Sequence, residues 1–341
     1  MPSMPMPVCQ NGDISAKNNL LKRITVFVLL LVEIPLCGTV CAFEYPDPEK
    51  TYLIFSAQIR KALQVKDGGE ENLANIEVSV PHGGISQSWR FKPAGPGYPE
   101  HSYSLVSVKS GRVLDVMGYS RDDGANVQLF KYYGTNNQRW HIVPAGSDSF
   151  RLISLNSGKC LDAENTDKRD PANVRQFSCG AGGYQIWTLK SNPQAGQIFR
   201  IASKKSGKVL DISASSRSDG ADIQLFRTHG RANQLWTLWH HGFRKGVPTY
   251  AIVSCHSGRV LDVEGKSRND GASVQQFRYR AKDNQHWIIE SAGEKYVRIV
   301  SVNSGKCLEA GGNGEEGDNI RQFSCGGEDQ QLWELQEARM P

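Results

Sequence analysis

The chain has 341 residues, enough for about two domains, with 39% hydrophobic and 22% charged residues and a formal net charge of +5. So mild a charge, spread along the chain, excludes the clustered Lys and Arg face that binds nucleic acid. Glycine is frequent, at 34 residues, which suits a protein rich in turns.

Residues 1–42 differ in kind from the rest. Lys22 and Arg23 precede an apolar run from Ile24 to Val32, which breaks at Glu33 and Pro35. Val40 and Ala42 then stand three and one before Phe43. A basic, then apolar, then small-residue order predicts a secretory signal peptide cleaved before Phe43, with an uncleaved anchor as the alternative. The run is short for a transmembrane helix. Cleavage would remove Cys9, Cys37 and Cys41 and leave Cys160, Cys179, Cys255, Cys307 and Cys325.

Six Gln-x-Trp triplets follow, ending at Trp89, Trp140, Trp187, Trp236, Trp287 and Trp333, with gaps of 46 to 51 residues. A fixed period of that size means an architecture of repeated units. Only Trp239 stands outside the pattern. Such recurrent tryptophans are expected in the core, with the preceding Gln bonded to backbone of its own unit.

The first unit is worn, with Leu63-Gln64-Val65 and Ile76-Glu77-Val78 as its middle strands. The other five share a template of a short strand, a Ser-Gly turn, a second strand, a polar loop, a third strand and the Trp strand. Their second strands are Val113–Val116, Cys160–Ala163, Val209–Ile212, Val260–Val263 and Cys307–Ala310. Their third strands are Val127–Phe130, Val174–Phe177, Ile223–Phe226, Val274–Phe277 and Ile320–Phe323. Short apolar runs bounded by Gly, Ser, Asn and Asp are strands and turns, and no long helical period occurs. Three such units close on a pseudo-threefold axis, which predicts two tandem barrels over residues 43–191 and 192–341. The seam is expected near residues 190–196.

Cys160 with Cys179, and Cys307 with Cys325, occupy equivalent places in the third and sixth units. Equivalent placement predicts two local disulfides, which fits an exported protein. Cys255 is left over; it stands where other units carry Val108, Leu155 or Val302 and is expected to be a buried thiol.

The Gln-x-Trp triplets, the Cys-Leu-Asp and Val-Leu-Asp motifs and the Val-Gln-Leu-Phe strand resemble the ricin B-chain family across residues 50 to 338. The resemblance implies an all-β chain of two β-trefoils and carbohydrate binding. It implies a sugar site in each unit built from four places: the acid after Leu, the Gln two before the aromatic, the aromatic, and the Asn before Gln-x-Trp. The chemistry is apt, because a sugar needs acceptors for neighbouring hydroxyls, a returned donor and a flat apolar face.

All four places are kept in three units: Asp115, Gln128, Phe130 and Asn137; Asp211, Gln224, Phe226 and Asn233; Asp262, Gln275, Phe277 and Asn284. The third unit has Asp162, Arg175, Phe177 and Tyr184, and the sixth has Glu309, Arg321, Phe323 and Gln330. The first has Gln64, Glu77, Ser79 and Ser86, without acid or aromatic in the expected places. A purely turn-shaping role for Asp and Asn is the competing explanation.

Gly312, Gly314 and Gly317 mimic a dinucleotide fingerprint but precede a strand, so they read as a loop. His240 and His241 lack a further ligand set and are expected in a solvated loop, with no metal and no cofactor. No hydrolase motif occurs, eight residues follow Trp333, and no catalysis is expected. The expected function is a secreted, multivalent lectin for galactose-type sugars, with glycans as partners. The alternatives are a glycan-targeting subunit joined to a separate effector chain, through Cys255 or an apolar patch, and a non-sugar trefoil that docks protein or inhibits a protease.

Overall fold

The computed structural model describes residues 43–164, 171–192 and 197–341. The expected signal peptide, with Cys9, Cys37 and Cys41, lies outside the described residues, as does the 193–196 part of the expected seam. Within the described residues the chain is all-β, with 3-10 turns of three residues as its only helical elements.

The strands form two twelve-stranded sheets, one from Tyr52–Ser56 to Trp187–Ser191, the other from Ile198–Ser203 to Trp333–Ala338. In each, the first strand pairs antiparallel with the last: Tyr52 lies opposite Ser191, and Ile198 opposite Ala338. That pairing closes each sheet into a barrel and removes its edges. Fourth and first strands of successive units complete the wall, as in Trp89–Pro93 with Ser102–Ser107 and Trp140–Pro144 with Ser149–Ser154. The second and third strands of each unit form a hairpin, as in Val113–Val116 with Val127–Phe130. Six units of this kind make two tandem β-trefoils.

The six repeat tryptophans are fully buried. Each indole N–H donates to the carbonyl of the Leu in its unit's second strand, Leu63, Leu114, Leu161, Leu210, Leu261 or Leu308. A large ring thus enters the core with its one polar atom satisfied. The Gln of each triplet clamps backbone of its own unit: Gln138 Oε1 accepts from Tyr133 N at 2.8 Å, and its Nε2 donates to Lys131 O at 2.9 Å. On the first barrel's axis Asn75, Asn126 and Asn173 form a ring of three amide-to-amide hydrogen bonds, 2.9, 2.9 and 3.1 Å long.

Disulfides join Cys160 to Cys179 and Cys307 to Cys325, each tying a second strand to the segment after the third. Cys255 is buried among Ile85, Ile198 and Leu235, and desolvation pushes its thiol up to about 12. A thiol so placed is inert and out of reach as a tether for an effector chain.

The described residues all belong to one compact unit, and the two barrels pack on each other through the first repeat. Lys109 Nζ donates to Gly68 O at 2.5 Å and to His256 O of the second barrel at 2.7 Å. Arg217 donates to the carbonyls of Asp67 and Gly68, both at 2.6 Å, and Arg259 pairs with Asp67 at 3.1 Å. Two glycines permit the approach. A Cβ on Gly83 would meet the Trp239 ring at 1.7 Å, and one on Gly258 would meet Ser86 Oγ at 2.7 Å. Both have positive φ, +60° and +73°, where a side chain is strained in any case.

His240 and His241 stand on a strand, not in a loop, with His240 half-buried and His241 exposed. They lie on Trp236–Arg244, a nine-residue fourth strand paired with Val247–Ser254. His241 stacks on His286 at 3.8 Å, and both rings reach the Tyr279 hydroxyl at 2.8 Å. The extension of this strand sets His240 near Lys190 of the first barrel and His241 beside Tyr279, placements that local turn signals do not announce.

Candidate functional site

The acid and the Gln of each unit are direct cross-strand partners in its hairpin: Asp115 with Gln128, Asp211 with Gln224, Asp262 with Gln275. Opposed side chains in an antiparallel pair are close enough to bond. Gln Nε2 donates to Asp Oδ1 at 3.1 Å in all three. The Asn sits on the 3-10 turn before the Trp strand, and its Nδ2 donates to the other carboxylate oxygen at 2.8, 2.8 and 2.9 Å. The same Nδ2 reaches the backbone carbonyl after the acid: Val116, Ile212 or Val263. The four expected residues therefore meet, in the same arrangement, in each of the three units.

The carboxylates lie at the bottom of these cradles and are buried. Phe130, Phe226 and Phe277 stand half-buried above them. Burial raises the carboxyls of Asp115 and Asp262 above the usual range, and the amide donors partly offset it. In the fifth unit the cradle opens into a pocket of about 350 Å³ lined by Asp262, Gln275, Phe277 and Asn284. An aspartate there accepts the two amides and still has lone pairs for a sugar hydroxyl.

The sequence missed several neighbours. Gln138, assigned only to backbone, also donates to Asp115 Oδ2 at 3.0 Å. His229 Nε2 lies 3.0 Å from Asp211 Oδ2, and its ring lies 6.0 Å from that of Phe226. Thr135 Oγ1 donates to Asn137 Oδ1 at 2.7 Å, whereas Asn233 Oδ1 and Asn284 Oδ1 are buried without a partner. The rims differ: Tyr133 stands beside Phe130, Arg227 beside Phe226, and Arg280 beside Phe277. Only measuring the same offset along each repeat would have singled these out.

The third and sixth units are filled differently. Arg175 Nε donates to Asp162 Oδ1 at 3.1 Å, and Arg321 donates twice to Glu309 Oε1, at 2.9 and 2.8 Å. Each guanidinium also lies near the aromatic of its own unit, 4.8 Å from Phe177 and 5.3 Å from Phe323. The acid is neutralised in both, and Phe323 stays exposed beside its guanidinium.

The first unit keeps a pair that its sequence disguises. Gln64 and Glu77 are cross-strand partners, and Gln64 Nε2 donates to Glu77 Oε1 at 2.6 Å. The acid is present on the opposite strand, with carboxylate and amide exchanged.

These features define the class. The chain belongs to the ricin-type β-trefoil lectin domain-like family, whose model matches residues 42–130, 86–177, 136–226, 183–277, 232–323 and 283–340. No curated protein sequence matches it. Among solved structures it is similar to hemolytic lectin CEL-III, with 21% identity, a TM-score of 0.50, and coverage of 86% of this chain and 64% of that one. The chain thus spans less than two thirds of CEL-III. It is also similar to ThreeFoil, a designed threefold-symmetric protein: 37% identity, TM-score 0.40, covering 41% of this chain and 99% of that one. For a ricin B-like lectin of Macrolepiota procera the figures are 24%, 0.35, 42% and 96%. Membership of a lectin-domain family supports carbohydrate binding.

Proposed function

We propose that this chain is a secreted, multivalent lectin for galactose-type sugars, without catalysis, that binds through the cradles at Asp115, Asp211 and Asp262. One observation carries the reading: a buried carboxylate held by Gln and Asn amides beneath a half-buried Phe recurs with near-identical distances in three units. Galactose is the sugar type that the ricin B resemblance implies. Glycoside hydrolysis takes two carboxylates, whereas Asp262 is the sole acid lining the fifth-unit pocket. Two disulfides suit an oxidising compartment, in line with the leader expected over residues 1–42. Single shallow sites bind at about millimolar Kd, and three on one body gain ~100-fold or more by avidity. A glycan array and an erythrocyte agglutination assay on the chain from Phe43 onward test the proposal. Galactosides should bind and should inhibit agglutination; folded protein that binds no glycan sinks it.

A further inference from the structure

The first unit contains a pocket of about 290 Å³ that repeats the fifth-unit pocket residue by residue. Gln64 stands in the place of Asp262, Glu77 in that of Gln275, Ser79 in that of Phe277, and Ser86 in that of Asn284. The carboxylate–amide bond survives with its partners exchanged. The aromatic is absent from the first unit, and the second barrel roofs the pocket with Ser257, Arg259, Arg278 and Tyr279. Glu77, His82, Ser86, Ser257, Arg259 and Tyr279 are all buried. The two arginines of the roof are held on Asp219, at 2.6 and 2.5 Å, and Arg259 also on Asp67. The wall is therefore rich in hydroxyl, amide and carboxylate groups; its two guanidiniums are matched, and its one other cation, the exposed Lys66, shares the lining with the carboxylates of Asp67 and Glu77. Its volume is at the small end of ligand pockets, enough for one monosaccharide.

We propose that this seam pocket is a fourth binding site, composite between the two trefoils, for a neutral, hydroxyl-rich molecule of monosaccharide size. The first trefoil supplies the Gln64–Glu77 pair, and the second supplies the aromatic ring of Tyr279. The inference rests on taking the three open cradles as sugar sites. It is tested by titrating the ¹⁵N-labelled chain with methyl galactoside, glucoside, mannoside and N-acetylgalactosaminide at about ten times a millimolar Kd. The Gln64 Nε2 and Arg259 Nε signals should move saturably with at least one sugar, and should still move when Asp115, Asp211 and Asp262 are all Ala. Glu77→Gln should weaken that response roughly tenfold or more, since a charged acceptor is lost. Should Glu77→Gln loosen the seam, Ser79→Val, which fills the pocket without touching the Gln64–Glu77 bond, should abolish it. Fixed Gln64 and Arg259 signals overturn the proposal while shifts at Gln128, Gln224 and Gln275 uphold the open cradles. Silence at all of these signals sinks both.

A different observation concerns the open fifth-unit pocket. Lys266, Arg280 and Lys282 line it together, and none of the three forms an ion pair among the described residues. The single acid in that lining, Asp262, is buried and held by amides. We infer that this cradle selects anionic sugars, such as sulfated or uronic residues, over neutral ones. In a variant with Asp115→Ala and Asp211→Ala, galactose 6-sulfate should bind roughly tenfold tighter than galactose at low salt, and the ratio should fall toward one at high salt. Replacing Lys266, Arg280 and Lys282 by Gln should bring the ratio near one at any salt. Equal affinities, or a preference that survives the triple replacement, overturn the inference; binding of neither sugar overturns it too and removes the Asp262 cradle from the lectin proposal, which galactose binding by the unsubstituted chain tests separately.

Discussion

Asp115 accepts amides from Gln128, Asn137 and Gln138 within 3.1 Å, and that crowding sets both what it does and what its loss would cost. Asp115→Ala should weaken binding at its own cradle by about 2 kcal/mol, roughly 30-fold, because a charged acceptor disappears. Titration calorimetry of the three single Asp→Ala variants reads this as one lost equivalent each, with circular dichroism confirming the fold. Acid should act in the same direction. Burial raises the Asp115 and Asp262 carboxyls, so they protonate at a higher pH than an exposed aspartate. Affinity at these two cradles should hold at neutral pH and fall as pH drops, failing before an ordinary carboxylate would titrate; a flat profile down to the usual aspartate range contradicts this. The residues that meet in the cradles were legible in the sequence because the repeat places them in register. His229 and Glu77 were not: one reaches in from a loop, and the other enters from the opposite strand of its hairpin.

The hairpin is the element that carries function, and its register decides which residue faces which. Gln64 and Glu77 are spaced like Asp115 and Gln128, so the exchanged pair in the first unit was there to be found. It escaped because a motif fixes residue types to positions, whereas a hydrogen bond is indifferent to which strand carries the acid. In the third and sixth units a disulfide ties the hairpin, and Arg fills the cradle. Each disulfide closes a loop of about 20 residues and contributes on the order of 3 kcal/mol in the chain-entropy picture. Replacing Cys160 and Cys179 by Ser should lower the denaturation midpoint accordingly, with little effect on sugar titration at the cradles in the other units. The ring of Asn75, Asn126 and Asn173 is a second device at this scale. Asn126→Ala removes two of its three bonds and should cost about 1–3 kcal/mol, measured by urea unfolding.

At the scale of the molecule, the worn state of the first unit has a physical cause: its open face is where the second trefoil sits. The sequence showed that the cradle was altered but gave no sign of what covers it, because the contacts join residues more than a hundred positions apart. The seam gathers histidines that must stay neutral. Gly84 N donates to His82 Nδ1 at 3.1 Å, and burial holds His82 down to about 4. His286, stacked on His241, is likewise held down to about 4, by burial first and by its neighbour second. A histidine whose folded value lies below its unfolded one contributes stability that is full above pH ~6.5 and lost as pH falls toward 4. At pH ~5 His82 alone should cost on the order of 2 kcal/mol. Calorimetry should show the melting temperature dropping between neutral pH and pH ~5, and His82→Gln should flatten that dependence.

Trp239 is the tryptophan outside the repeat, and it lies over Gly83 at the seam while the other six are sealed in the two cores. Lys190 stands 5.7 Å from its ring. The molecule therefore has a built-in optical reporter. Six indoles in dry, nearly equivalent surroundings should emit as one constant background. Any opening of the seam that leaves the cores folded should appear in the emission of the seventh alone, as a red shift, with no label attached. Replacing Trp239 by Phe would give the blank against which that signal is read.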